Sequence, residues 1–317
     1  MLTLLFLLLA ACILTHSQLS LHYAVLGLEL WFQKMIPSLL PFMILSGIMV
    51  RINLTEKIAM AAYPLLNPLY RINKNVCYCM LLGFLCGFPM GAKVTAELLE
   101  RDKLTPREAE YLLAFCNNIG PVYFLSFVLP LLNLKLAGPY LFGMYGLPLL
   151  YGLILRYTAF RDIGLIPHKD ICLHTRELHA CEQPSTDTSV GMGVRLLEAI
   201  DQSIRASVQS MLMLGGYMIL FNLLNLIPHV LLGRSVAVLA PLLEITGGLG
   251  MLKCTLPLYS LIALSFGGLS CIAQTYSCIR SVRLSLSNYI FHKVILTLLT
   301  VSFYLCWFFI SPETFLL

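Results

Sequence analysis

The chain has 317 residues, 58% of them hydrophobic and only 12% charged, roughly half the charged share of an ordinary soluble domain. This composition points to an all-α polytopic membrane protein, with about 6–8 transmembrane helices once apolar runs of roughly 20 residues are counted as spans. The net charge of +5 is scattered over loops rather than gathered in a stripe, so nucleic acid binding has no support.

Apolar runs place spans at Leu2 to Thr15, Leu30 to Val50, Leu112 to Leu132, Gly138 to Tyr157, Val208 to Ile227 and Tyr289 to Ile310. Val76 to Glu97 and Leu256 to Tyr276 are apolar but interrupted by Gly or Pro. Residues 1–29 read as an N-terminal membrane helix and a short loop. Leu9-Ala10-Ala11-Cys12 has the look of a lipoprotein cleavage site, but no Lys or Arg precedes it, so an ordinary first helix is expected. Of the 11 cysteines, Cys12, Cys86, Cys116, Cys271 and Cys306 lie in apolar runs, where a thiol acts as a small hydrophobe.

Residues 30–157 form a first repeat with its connecting span. Here Gly87-Phe88-Pro89-Met90-Gly91-Ala92-Lys93 breaks a run that should lie in lipid, because Pro89 removes a backbone donor and crowds the preceding turn. Arg51, Lys57, Arg71 and Lys74 precede the run, and Arg101, Lys103 and Arg107 follow it. Basic loops stay in the cytoplasm, so the run is expected to dip in and return as a re-entrant hairpin; the alternative is a spanning helix kinked at Pro89. Thr105-Pro106-Arg107-Glu108 is a capping-box start for the next helix. Residues 158–192 are a polar cytoplasmic linker, in which His168, Cys172, His174, His179 and Cys181 match no zinc spacing, so no metal is expected.

Residues 193–317 hold an amphipathic helix and a second repeat. Val194, Leu197, Ile200, Ile204 and Val208 share one face, which predicts a helix on the bilayer surface. A weak internal repeat pairs Leu40 to Gly47 with Gln209 to Gly216, Pro64-Leu65-Leu66 with Pro241-Leu242-Leu243, and Gly87 to Lys93 with Gly268 to Gln274. With a re-entrant element in each half, the halves have opposite orientation, which would leave Arg280 and Arg283 outside.

Broken helix ends in a membrane commonly line a solute cavity. The expected substrate-binding residues are Gly87, Pro89, Gly91, Lys93, Asn117, Asn118, Gly268, Ser270 and Gln274, with Glu97 and Glu244 as carriers of a coupling ion or proton. Lys93 could receive an anionic group, or it could snorkel and pair with Glu97 four residues on. Asn117 and Asn118 precede a Gly-Pro break and could face solute or bond neighbouring helices. Glu244, beside Gly247-Gly248, could equally be an interfacial carboxylate. No catalytic triad or phosphate-cradling loop appears, so neither an enzyme nor a cofactor is expected.

Gly87 to Lys93, Leu104 to Glu110 and Leu112 to Pro121 resemble the YlbJ family of sporulation integral membrane proteins, related to the nucleoside-recognition (Gate) domains of concentrative nucleoside transporters. The resemblance extends from about Leu30 onward and, in the second half, rests on Phe266 to Ser270 and Ala273-Gln274; Ile119 departs from it. It implies an endospore former, the outer forespore membrane, and movement of dipicolinate. The partners so implied are a small anionic solute and the lipid bilayer, with a homo-oligomer or other sporulation membrane proteins besides. A non-transporting component of spore envelope assembly and a nucleoside transporter are the alternatives.

Overall fold

The computed structural model describes residues 2–52, 54–134, 138–163 and 192–312. The His and Cys residues from His168 to Cys181 lie outside the described residues. Within them the architecture is all-α, and five helical segments are long and apolar enough to cross a membrane: Ser17–Arg51, Gly138–Tyr157, Gly193–Leu232, Pro257–Val282 and Leu286–Ile310.

Helix α1, Leu2–Thr15, bends at His16 into α2, Ser17–Arg51. The loop expected before residue 30 is instead helix. Residues 17–30 contain no proline, so nothing removes a backbone donor there and the helical ladder continues. Trp31–Met35 within α2 widens into a π turn, as do Phe124–Val128 and Phe142–Gly146 later. Each turn holds the residue four positions before a proline: Gln33 before Pro37, Ser126 before Pro130, and Met144 before Pro148. A proline ring crowds that carbonyl, and the wider turn moves it aside.

Short helices α3, Thr55–Ala59, and α4, Tyr63–Tyr70, lead to α5, Lys74–Cys86, and α6, Met90–Glu100. The last two pack along each other and begin and end on one side of the molecule. Asn75 at the start of α5 donates to the Lys103 carbonyl just past α6, at 3.3 Å, and Asn73 donates to Glu108. The pair is therefore a folded-back helical hairpin, the shape that a re-entrant element requires, rather than a kinked span. Helix α7, Pro106–Phe115, opens with the Thr105–Glu108 capping box, and residues 116–120 separate it from α8, Pro121–Leu131. Helix α9, Gly138–Tyr157, returns to the first side. There the buried Arg156 donates to the carbonyls of Tyr70, Arg71, Phe160, Arg161 and Ile163, while Arg107 bonds Asp162 and the Ala159 carbonyl. These contacts hold the basic loops together at one end, the arrangement that charge bias assigns to the cytoplasm.

Helix α10, Met192–Leu223, is one unbroken rod of 32 residues. The separate surface helix expected at its start does not exist. Val194, Leu197, Ile204 and Val208 face outward, and Ala199, Ser203 and Ser207 pack inward against α2. Small side chains let two helices approach closely in a bilayer, where apolar bulk gains nothing by turning away from lipid. Helix α11, Leu226–Leu232, follows, then α12, Ala240–Leu243, which folds on α13, Ile245–Leu252, around Glu244. Helices α14, Pro257–Phe266, and α15, Gly268–Ile279, meet at two residues of positive φ, Gly267 at +82° and Gly268 at +78°, and α16, Leu286–Ile310, completes the chain of helices.

A long helix, a folded-back pair, a broken span and an unbroken span thus occur in that order twice. This order corrects the expected pairing of Gly87 with Gly268. Gly87 turns a hairpin, as Glu244 does, whereas Gly268 sits in a broken span, as Gly120 does. Arg280 is also corrected: it shares a cavity with Arg51, Glu97 and Glu100, at the basic end rather than the opposite one.

Candidate functional site

The chain breaks of both halves meet in the interior. A Cβ on Gly87 would stand 2.7 Å from the Gly120 Cα, and one on Gly91 would stand 2.7 Å from the Cys116 carbonyl oxygen. The hairpin therefore lies backbone-to-backbone on the α7–α8 break, an approach that only glycine permits. Phe88 at its tip reaches the other half, its ring 2.9 Å from where a Gly267 Cβ would be, and Gly268 packs on the Pro241 and Leu243 carbonyls. Tyr123 donates to Thr246 at 3.2 Å.

Lys293 of α16 joins these breaks. It is 2% exposed, and its Nζ donates to the Asn117 carbonyl and to Asn118 Oδ1, both at 3.1 Å, while lying 4.4 Å above the Phe88 ring. Asn117 Nδ2 in turn donates to Thr275 at 2.8 Å and Tyr289 at 3.3 Å. A cation over an aromatic face and two charge-assisted hydrogen bonds offset its burial. The two asparagines are thus bonded to protein and line neither cavity described below.

The larger cavity, of about 290 Å³, opens between α2, α6, α10 and α15 near the basic end. Pro89, Lys93 and Glu97 border it from α6 and its N-terminus, Gln274 and Arg280 from the α15 side, and Ser203, Ser207 and Ser210 from α10. Glu97 does not pair with Lys93. It bridges to Arg51 at 2.9 Å, and Arg51 also donates to the Gly47 carbonyl and Ser203. Lys93 Nζ, shielded from solvent, has no hydrogen-bond partner among the described residues. The register of α6 explains this: Lys93 and Glu97 share a face, but Arg51 at the end of α2 reaches the carboxylate first.

A second, smaller cavity of about 60 Å³ lies deeper, bounded by Phe88, Gly120, Tyr123, Glu244, Thr246 and Gly267 among others. Gln274 borders both cavities. Glu244 is not interfacial; it is 1% exposed and caps α13. Of the residues expected at the site, Pro89, Lys93, Glu97 and Gln274 converge on the larger cavity and Glu244 on the smaller. Gly87, Gly91 and Gly268 set backbone packing, and Ser270 is fully buried away from both, its hydroxyl without a hydrogen-bond partner among the described residues. Sequence reasoning missed Lys293, Arg51 and Arg280 as part of this region. The signal for Lys293 was present, as the one Lys or Arg within a 25-residue apolar helix, since an ionisable residue inside a membrane span is by default a functional candidate.

No family model matches the chain, and no solved structure matches it. It is 29% identical over 229 residues to sporulation integral membrane protein YlbJ of Bacillus subtilis (strain 168), an alignment covering 69% of this chain and 54% of that protein. The chain therefore spans about half the length of the curated relative it matches. Taken with an all-helical architecture of membrane-crossing length, this similarity marks the chain as an integral membrane protein that resembles YlbJ.

Proposed function

We propose that the protein is a sporulation membrane carrier or facilitator for a small anionic solute, dipicolinate being the candidate, in the membrane that surrounds the forespore. The observation that carries this reading is the Lys93 ammonium, held out of solvent at a cavity wall with no hydrogen-bond partner among the described residues while its neighbour Glu97 is tied to Arg51. A buried ammonium without an acceptor is costly, and a carboxylate in the cavity removes that cost. The size agrees: sites for drug-sized ligands run about 300–1,000 Å³, and a cavity of about 290 Å³ suits a smaller molecule. Gln274 and Arg280 add donors for a second anionic group. The sporulation role is drawn from the named relative. The recurrence of the element order in two halves supports an inverted-repeat carrier, in which irregular backbone lines the solute path.

The test is uptake of labelled dipicolinate beside labelled uridine by the protein in liposomes. Saturable dipicolinate uptake is expected, and Lys93→Ala should weaken it about 10- to 100-fold in apparent affinity, the loss of one charge-assisted hydrogen bond of about 1.5–3 kcal/mol. Uridine uptake that is indifferent to Lys93→Ala would favour a nucleoside transporter. Folded protein that moves neither solute would favour a non-transporting component of spore envelope assembly.

A further inference from the structure

Glu97, Glu100 and Glu244 border the cavities; Glu100 is exposed, and the surroundings of the other two differ in kind. Glu97 is bridged to Arg51. Glu244 has no basic partner among the described residues. Its carboxylate accepts from the Thr246 amide at 3.1 Å, the Gly247 amide at 2.6 Å and Asn222 Nδ2 at 3.0 Å, and from the Thr246 hydroxyl. From the α7–α8 break Tyr123 faces this group through Thr246, and from α15 Cys271 does, with Lys293 beyond Cys271. Helix α10 presents Asn222, while Tyr23 of α2 and His229 of α11 are bonded to each other.

An ionised carboxylate in so dry a place is costly unless a cation accompanies it. Asn222, 0% exposed, keeps its Oδ1 without a partner among the described residues, and turning that amide over would offer the oxygen as an acceptor to a Glu244 O–H. Both features fit a group that carries a hydrogen. The Thr246 and Tyr123 hydroxyls connect it to the smaller cavity, which adjoins the larger one at Gln274.

We propose that Glu244 binds and releases the proton that is coupled to solute movement, taking it from the smaller cavity along the Tyr123 and Thr246 hydroxyls. This rests on the carrier reading above and adds its driving ion. Glu97, by contrast, is a fixed member of the cavity wall.

Two measurements test it. Infrared difference spectra of the whole protein across a pH titration should contain a protonated-carboxyl C=O stretch that is lost in Glu244→Gln and kept in Lys93→Ala; a wild-type spectrum with no Glu244-dependent band overturns the proposal. In liposomes, acidifying the loading side should raise dipicolinate accumulation by up to about tenfold per pH unit, as one proton per solute allows. The ratio of gradient-driven to equal-pH uptake should fall to about one in Glu244→Gln. Wild-type uptake indifferent to the pH gradient, or following a sodium gradient instead, overturns the assignment. A Glu244-dependent band in protein that moves no solute would keep the proton site and overturn the carrier reading on which its coupling depends.

Discussion

Gly87 and Gly216 are both glycines of a membrane protein, yet the structure gives them opposite roles. Gly87 combines φ of +77° with a backbone neighbour, Gly120, that a methyl group would strike. Gly216 lies within α10 with open space around it. Gly87→Ala should therefore cost about 3 kcal/mol or more, from backbone strain and overpacking together. Gly216→Ala should be neutral or stabilising by about 0.5–1 kcal/mol. Thermal unfolding of the two variants in detergent measures the difference; equal melting points would contradict the close approach of hairpin and break. Lys93 and Lys293 make a second contrast. Lys293 is held by Asn117, Asn118 and Phe88 and ties the breaks together, whereas the half-buried Lys93 has no hydrogen-bond partner among the described residues, which is why the proposed solute contact falls on Lys93.

Among the elements, α10 carries the argument furthest, because its inward face of Ala199, Ser203 and Ser207 brings it against α2 and makes one wall of the larger cavity. A Cβ on Gly47 would stand 3.2 Å from the Ser203 Cβ, slightly inside the usual spacing of about 3.5–4.5 Å across a disulfide. Gly47→Cys combined with Ser203→Cys should cross-link on mild oxidation, read by mass spectrometry of peptides before and after reduction. Gly47→Cys with Ile204→Cys, whose second position faces outward, should not. A cross-link confined to the second pair would place the apolar stripe of α10 inward and undo this packing. The α5–α6 hairpin shows the same dependence on small residues, since Gly83 and Gly91 both admit the Cys116 carbonyl.

For the molecule as a whole, the basic end collects loops from both halves. Arg156 and Arg107 tie the first half's loops together, and Arg280 brings the end of α15 to the same cavity as Arg51. Cysteines placed at the exposed positions Asp102 and Ser281 should therefore react with a membrane-impermeant thiol reagent from one side of a sealed vesicle. The native exposed Cys254, in the turn after α13, should react from the other. Labelling of Ser281→Cys from the Cys254 side would reverse the second half and separate Arg280 from Lys93. With Arg280 beside Arg51, the same charge rule covers Arg280 and Arg283 as covers Arg101 and Arg107.

The sequence by itself determined what short-range chemistry determines. Apolar runs set the membrane class, Thr105 to Glu108 set a capped helix start, and glycine and proline around residues 87–91 and 117–121 set the breaks, since each depends on neighbours within a turn or two of chain. It also pointed to Lys93 and Gln274, which do share a cavity. Only the tertiary structure decided the partners. Arg51 takes Glu97 from Lys93, Lys293 takes Asn117 and Asn118 from any solute, and Gly87 answers to Gly120 rather than to Gly268. Each of these rests on a contact between residues dozens to well over a hundred positions apart. Hydropathy and periodicity report a helix's own faces, and in lipid both faces are apolar, so which face meets which neighbour is settled by close packing and by the need to satisfy buried polar groups.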